Sequence, residues 1–303
     1  MDIYRNKEFE KLLEENGIKY KVISVSHLKF IEDDINAKYK KGIIDEKIYD
    51  YYLKYFNYEY KNKDNQLKII ITAKPQKISV VIFKYKKRDL KAIIPPTYIY
   101  TKDRELCFNI LRQSFSYVEK ARLPLKLLSA YSGLSVYGKN NITYIPEMGS
   151  FVRLDAFLVR YEGERDDWNK IEIMDECNHC DRCIKNCPRH CISEHNFIID
   201  AGKCITLYSE IKGSFKDNGI PVSVINALIG CMRCQIACPV NQPFLKSREV
   251  VELFNEEETQ MILDDTFRNN QDLMTKLKTI DLNENEQVIS RNLRALMIKN
   301  KIL

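Results

Sequence analysis

Cysteine is the residue whose spacing carries chemistry in this sequence. Cys177 to Pro188 read C-N-H-C-D-R-C-I-K-N-C-P, Cys204 stands alone, and Cys231 to Pro239 read C-M-R-C-Q-I-A-C-P. The first run is C-x2-C-x2-C-x3-C-P, the two-cluster iron–sulfur pattern in which the fourth cysteine ligates the other cluster. The second run, C-x2-C-x3-C-P, lacks one C-x2 step, and Cys204 can supply the missing thiolate. Two [4Fe-4S] clusters need two sets of four thiolates. The crossing-over rule assigns Cys177, Cys180, Cys183 and Cys238 to one, and Cys187, Cys204, Cys231 and Cys234 to the other.

Soft thiolates select iron–sulfur, copper(I) or zinc over hard ions. Thiolates two residues apart wrap one corner of a cubane, and the proline after the last cysteine turns the chain away, since it fixes φ and offers no amide hydrogen. Zinc sites usually come as two C-x2-C pairs and do not explain a third in-step cysteine followed by C-P. Disulfides need an oxidising compartment. The pattern therefore points to two iron–sulfur clusters.

The chain has 303 residues, with 18 Tyr and 13 Phe against 10 Gly. That is length for one large or two modest globular domains. The N-terminus, M-D-I-Y-R-N-K-E-F-E, has no apolar stretch of a secretory signal, and no run of about 18 apolar residues occurs. The expectation is a cytoplasmic, reduced protein without a membrane span. The formal charge is +6, but a [4Fe-4S] core with four thiolates carries about −2, so two of them lower the balance to roughly +2. Global charge thus gives no case for nucleic acid. A basic run remains at Lys84, Lys86, Lys87, Arg88 and Lys91, a pattern that a solvated strand end and turn also produces.

The elements that must position these thiols follow from periodicity. Residues 7–16 read as a short amphipathic helix stopped by Gly17, and Tyr20–Val25 as a strand. Residues 28–56 carry apolar residues at helical spacing, with a helix expected over Asp45–Phe56. Leu67–Thr72 and Ile78–Tyr85 read as strands separated by a turn around Pro75, Asp103–Lys120 as a helix, and Pro124–Tyr131 as a helix stopped at Gly133. Ile142–Ile145 and Phe151–Val159 read as strands about a turn at Pro146–Gly149. The acidic stretch Glu162–Asp167 reads as a linker, and from about Arg248 the chain reads as helical to its end. The expected class is α+β: an N-terminal α/β domain (1–165), a two-cluster ferredoxin-like domain (166–246) and a short helical cap (247–303).

Several segments together carry a family likeness. Gly133-Leu134, Gly138-Lys139-Asn140 and Gly149-Ser150-Phe151, followed by the cysteine run, resemble the A-G-L-G-W-I-G-K-N and G-S-W segments of the epoxyqueuosine reductase family. C-I-T-L-Y-S-E from Cys204, C-M-R-C-Q-I-A-C-P-V-N from Cys231 and S-R-N-L-R-A-L-M from Ser290 resemble three later segments of that family. The likeness covers residues 120–303 well and the first hundred weakly. It implies a cobalamin-dependent reductase related to the reductive dehalogenases. A base-off corrinoid, cob(II)alamin, would sit in the N-terminal domain. Electrons would come from an external low-potential donor of flavodoxin or ferredoxin type, and the substrate would be an unknown small molecule. Gly138, Lys139, Asn140 and Ser150 are then the expected cofactor-binding residues.

This sequence departs from the family at telling positions. The family's catalytic Asp stands three residues before a proline; here that proline is Pro124 and Ala121 takes the acid's place, so a general acid must come from elsewhere. Ser135, Val136 and Tyr137 replace Gly, Trp and Ile, which makes Tyr137 the candidate acid, against the reading that it is one more core tyrosine. The C-terminal helical repeats, implicated in tRNA contact, are reduced to one short unit, and these changes argue against an epoxyqueuosine-tRNA substrate. Cys191 stands where the family has a small residue and reads as a small buried thiol or an alternate ligand; Cys107 reads as core. Three functions stay open: an iron–sulfur oxidoreductase feeding a corrinoid or another acceptor, a non-catalytic electron-transfer protein that docks a redox partner, and an RNA-binding iron–sulfur protein, which would require the Lys84–Lys91 patch to lie beside the site.

Overall fold

The computed structural model describes residues 2–62, 66–99 and 105–303. In chain order the helices are α1 (Asp2–Glu15), α2 (Leu28–Lys40), α3 (Glu46–Tyr51), α4 (Leu106–Ser114), α5 (Leu125–Tyr131), α6 (Arg182–Asn186), α7 (Ile205–Glu210), α8 (Arg233–Ala237), α9 (Glu256–Leu263), α10 (Gln271–Thr279) and α11 (Glu286–Lys299). The strands are β1 (Lys19–Ser24), β2 (Leu67–Pro75), β3 (Ile78–Tyr85), β4 (Arg88–Ile94), β5 (Val118–Lys120), β6 (Val136–Tyr137), β7 (Thr143–Tyr144), β8 (Val152–Arg160) and β9 (Arg248–Phe254). The class is α+β. The chain packs into two compact units: Met1–Gln76 with Asp103–Asp181 and Ile192–Gly202, and Lys77–Lys102 with Arg182–Cys191 and Lys203–Leu303.

The first unit is built on a four-stranded antiparallel sheet, order β1-β2-β8-β5. Its central pair runs in register from Leu67↔Arg160 to Pro75↔Val152. Successive side chains point to opposite faces, and here both faces are covered. Ile69, Ile71, Leu154 and Leu158 pack with Leu28, Ile31 and Ile35 of α2 and Leu128 of α5. Ile70, Phe157 and Val159 pack with Phe9 and Leu13 of α1 and Ile110 and Leu111 of α4. Cover on both sides is why I-I-I-T-A reads as a continuous apolar run instead of an alternation. Cys107 belongs to the second of these cores, and burial pushes its thiol up to about 11.

Four expectations for this unit need correction. Strand β2 runs on through Pro75 to pair with β8, so there is no turn there joining it to the next strand, which belongs to the other sheet. Helix α4 ends at Ser114, and Val118–Lys120 is a strand paired with β8; the expected start at Asp103 lies outside the described residues. The helix over 45–56 stops at Tyr51 and continues only as a 3-10 turn, Leu53–Tyr55. The acidic 162–167 stretch is no loose linker: the Val22 and Ser24 amides donate to the Asp167 and Asp166 carboxylates, and Asp167 N–H donates back to Val22 O at 2.7 Å. Arg165 binds Glu10, Tyr20 and Asp167. Two acids read as linker are in fact the side-chain half of an edge ladder.

The second unit holds a three-stranded sheet, β4-β3-β9. Strands β3 and β4 form a hairpin whose turn residues Lys86 and Lys87 sit at φ 47° and 60°, the left-handed geometry a two-residue hairpin requires. The basic run is therefore a hairpin turn: the Lys86 amide donates to Glu256 and Arg88 to the Lys301 carbonyl. Strand β9 overturns the expectation of helix from 248; R-E-V-V-E-L-F pairs in parallel with β3, and Phe254 stacks on Phe83 at 5.0 Å. Helix resumes at α9, started by the reciprocal Asn255–Glu258 capping box. Among the described residues no helix is long and apolar enough to cross a membrane.

Candidate metal centre

In the first unit the glycine segment is physically tied to the first cysteines. Strand β6 pairs with β7, closing a loop over Gly138–Ile142. Tyr137 N–H donates to Glu172 O, and Met174 N–H donates to Tyr137 O, both at 2.8 Å. Met174 in turn caps the 3-10 turn Asp175–Cys177, with Cys177 N–H on Met174 O at 3.0 Å. Gly138 must lack a side chain: a Cβ there would stand 2.8 Å from Asn140 Oδ1 and 2.8 Å from the Tyr144 ring. Lys139 reaches the cysteine loop directly, its Nζ donating to Cys180 O at 3.3 Å. Gly138 and Lys139 thus cradle the segment that carries Cys177 and Cys180.

The same contacts test the expected corrinoid and proton-donor roles. Asn140 is buried, donates to the Tyr144 hydroxyl at 2.8 Å and accepts the Ile142 amide. Ser150 is buried as well. Tyr137 is 3% exposed and meets Phe197 edge to face. Burial pushes its phenol well above the ordinary range, away from neutral pH, where a general acid must operate. Of these five residues, Lys139 alone directs a charge at the cysteine loop. Gly138 and Asn140 hold the loop together. The Gly-to-Ser change at Ser135 is absorbed locally, since its hydroxyl pairs with that of buried Ser129 at 2.7 Å.

In the second unit six thiols draw together. The short helices α6 and α8 pack on one another, and each carries a cysteine, Cys183 and Cys234. Burial raises the Cys234 thiol, and the charges of Cys231, Cys204, Cys183 and Cys187 raise it further. Burial raises Cys231 to about 11, with Cys204 and Cys187 again among its charged neighbours. The Cys187 and Cys191 sulfurs are 3.1 Å apart, and Cys191 is hydrogen-bonded to Cys204 as well. That bond lowers the Cys204 thiol, while the two bonds to Cys187 and Cys204 raise that of Cys191. Cys187, Cys204, Cys231 and Cys234 are the set that spacing assigns to one cluster. Among the described residues no three such side chains close around a single-ion position, so the fit rests on donor chemistry and on the charge these thiols exert on one another. Four soft thiolates that feel one another's charge suit a [4Fe-4S] cluster.

Residues with no role assigned from sequence hold these thiols in place. Asn241, of the C-P-V-N segment, is fully buried; its side chain donates to Gln235 O at 2.9 Å and its amide to Cys238 O at 3.1 Å. It thereby closes the end of α8 just past the last ligand cysteine. Gly230, at φ 73°, donates its amide to the Ser209 hydroxyl at 2.7 Å beneath the Tyr98 ring. On α11, Arg291 donates to the carbonyls of Tyr208, Ser209, Ile211 and Gly213, and Asn292 to those of Ser209 and Leu228. These two side chains collect the free carbonyls at the C-terminal end of α7, whose first residue follows Cys204. The signal was the R-N pair itself, legible as a motif but not as a clamp.

Residues 176–241 match the 4Fe-4S double cluster binding domain. Epoxyqueuosine reductase of Staphylococcus aureus is 29% identical over 127 residues, a stretch that spans 42% of this chain and 32% of that protein. The solved structure of epoxyqueuosine reductase from Streptococcus thermophilus superimposes with a TM-score of 0.67 over 99% of this chain and 82% of that one, at 18% identity. This chain is epoxyqueuosine reductase-like. An epoxyqueuosine reductase solved with an epoxyqueuosine-modified tRNA stem loop gives a TM-score of 0.68 at 16% identity, over 99% of this chain and 83% of that chain. The epoxyqueuosine reductase-like fold and the double-cluster domain are common ground with these proteins. The stretch aligned in sequence amounts to about a third of the Staphylococcus aureus relative's length.

Proposed function

We propose that this chain is an iron–sulfur oxidoreductase that moves single electrons through two [4Fe-4S] clusters to a substrate of the first unit. One cluster is held by Cys177, Cys180, Cys183 and Cys238, the other by Cys187, Cys204, Cys231 and Cys234. The observation that supports this reading best is that Cys187, Cys204, Cys231 and Cys234 lie near enough in the second unit to act on one another's charge. The clusters supply one-electron redox chemistry; the chain's own residues set its terms. Lys139 places a cation at the Cys180 backbone, which favours the reduced, more negative state of a cluster there. Buried Cys187 and Cys238 keep water from part of the ligand shell, and low exposure is one of the levers on cluster potential. The donor is an external low-potential protein of flavodoxin or ferredoxin type.

No step is routed through a corrinoid, because Tyr137, Gly138, Asn140 and Ser150 are engaged within their own fold. The acceptor is a small oxidised molecule. A tRNA acceptor is the second reading, favoured by the likeness, over 99% of this chain, to an epoxyqueuosine reductase solved with a modified tRNA stem loop. Against it stands Ala121 at the expected acid position.

Iron and sulfide analysis of anaerobically reconstituted protein tests the cluster assignment. Wild type is expected to hold two four-iron clusters and Cys183→Ala one; an unchanged iron content in that variant rejects the ligand sets. Electron paramagnetic resonance with added cob(II)alamin tests the acceptor. A signal identical to free cobalamin is expected. A base-off signal, lacking the axial-nitrogen splitting, would return the corrinoid to the mechanism.

A further inference from the structure

Cys191 is the thiol that the two ligand sets do not use, and it is placed among them. It is 4% exposed. Its sulfur lies 3.1 Å from that of Cys187, and it is hydrogen-bonded to Cys204. Both neighbours belong to the same ligand set, and they come from different stretches of chain. The segment that delivers Cys191 is fixed: His190 takes φ 49° and donates its amide to Cys187 O at 3.1 Å, and Arg189 donates to the carbonyls of Lys203 and Gly219. The turn so formed folds Cys191 back onto Cys187 and ties it to the residue just before Cys204. A small apolar side chain would fill the same space without presenting a sulfur.

We infer that Cys191 is a reserve ligand of the second cluster, a fifth thiol able to take the iron corner of Cys204 or Cys187 when either is lost. The exchange is a ligand substitution with no change of oxidation state. The Cys191 thiol gives its proton to solvent, its sulfur bonds to the iron, and the departing ligand's bond to that iron breaks. The Cys191 sulfur already lies 3.1 Å from that of Cys187, and a change of side-chain rotamer is the movement the exchange calls for. A thiolate that is oxidised to a sulfinic or sulfonic acid is lost irreversibly as a thiolate ligand. A spare thiolate within contact distance keeps such a corner closed.

This inference rests on the two-cluster reading above, and iron stoichiometry separates the two. Wild type, Cys204→Ala, Cys234→Ala, Cys191→Ala and the Cys191→Ala/Cys204→Ala double variant are reconstituted anaerobically. Each is assayed for iron, acid-labile sulfide and the paramagnetic signal of the reduced clusters. Cys204→Ala is expected to keep nearly the wild-type iron content, with a shifted signal from the exchanged corner. The double variant should lose half of its iron, and so should Cys234→Ala, since the thiols interacting with Cys191 are those of Cys187 and Cys204. Loss of half the iron in Cys204→Ala alone, with the other cluster's signal intact as evidence of folding, overturns the inference. So does loss of iron in Cys191→Ala alone, which would make Cys191 a resident ligand. Cys187→Ala repeats the test at the other corner should Cys204→Ala fail to fold. Wild type holding fewer than two clusters would instead overturn the functional reading.

Discussion

The ammonium of Lys139 donates to the backbone carbonyl of Cys180 at 3.3 Å. A lysine from the glycine segment is thereby fixed against the loop that presents the first two cysteines. A cation held near a cluster stabilises its reduced form, and at an effective dielectric constant of about 20 the effect is on the order of tens of millivolts. Lys139→Ala should lower the potential of one cluster by that amount and leave the other unchanged, with Lys139→Arg retaining most of it. A redox titration followed by electron paramagnetic resonance reads both at once. Equal potentials in Lys139→Ala and wild type would remove Lys139 from the electron path.

Gly230 precedes Cys231 at φ 73°, and a Cβ there would lie 2.8 Å from the Tyr98 hydroxyl. Gly230→Ala combines left-handed strain of about 1–2 kcal/mol with overpacking of about 1–3 kcal/mol. The expected outcome is a lowered thermal midpoint together with loss of half the reconstituted iron. Full iron in this variant would show that the Cys231 loop is not held from this side.

Asn292 is fully buried and donates to Ser209 O at 2.8 Å and Leu228 O at 2.9 Å. Asn292→Ala leaves the Leu228 carbonyl without this donor and Ser209 O with only its longer bond from Arg291, at a cost of about 1–3 kcal/mol. Chemical denaturation should report a loss of that size, and the second cluster should be released more readily to a chelator. A variant as stable as wild type would mean that water reaches both carbonyls.

Asp265 receives hydrogen bonds from Ser290 and pairs with Arg268 at 3.0 Å, and Arg268 foremost holds its carboxyl below the ordinary value. A depressed carboxylate adds stability that is present above the unfolded-state pKa and is lost as pH falls through the folded one. Because the pair is exposed, its worth is about 0.2–1 kcal/mol. Asp265→Asn should be slightly less stable than wild type at neutral pH and converge with it as pH falls below about 4. A gap that persists in acid would assign the effect to the Ser290 hydrogen bond alone.

Much of the fold was legible because its signals are local. The stop at Gly17, the break at Gly133 and the strand runs at 67–72, 78–85 and 151–159 each follow from a few neighbouring residues. The misreadings share a cause. R-E-V-V-E-L-F at 248–254 and V-E-K at 118–120 have weak patterns, and each is a strand because a distant strand, β3 or β8, offers it a ladder. Likewise Glu162–Asp167 looked like linker because its partners, the Val22 and Ser24 amides, are more than 130 residues away in sequence.

By itself, the sequence determined the chemistry of the ligands. Thiolate softness and the C-x2-C wrap are properties of a short stretch of chain, and no distant residue alters them. Tertiary structure alone decided which side chains could serve beyond those cysteines. Packing buried Tyr137 against Phe197 and tied Asn140 to Tyr144, while a left-handed turn at His190 brought Cys191 onto Cys187. Arg291 and Asn292 became a clamp because α11 folds back on the carbonyl end of α7. Burial, reach and hydrogen-bond geometry depend on what the rest of the chain places alongside, and that is settled only when the chain closes on itself.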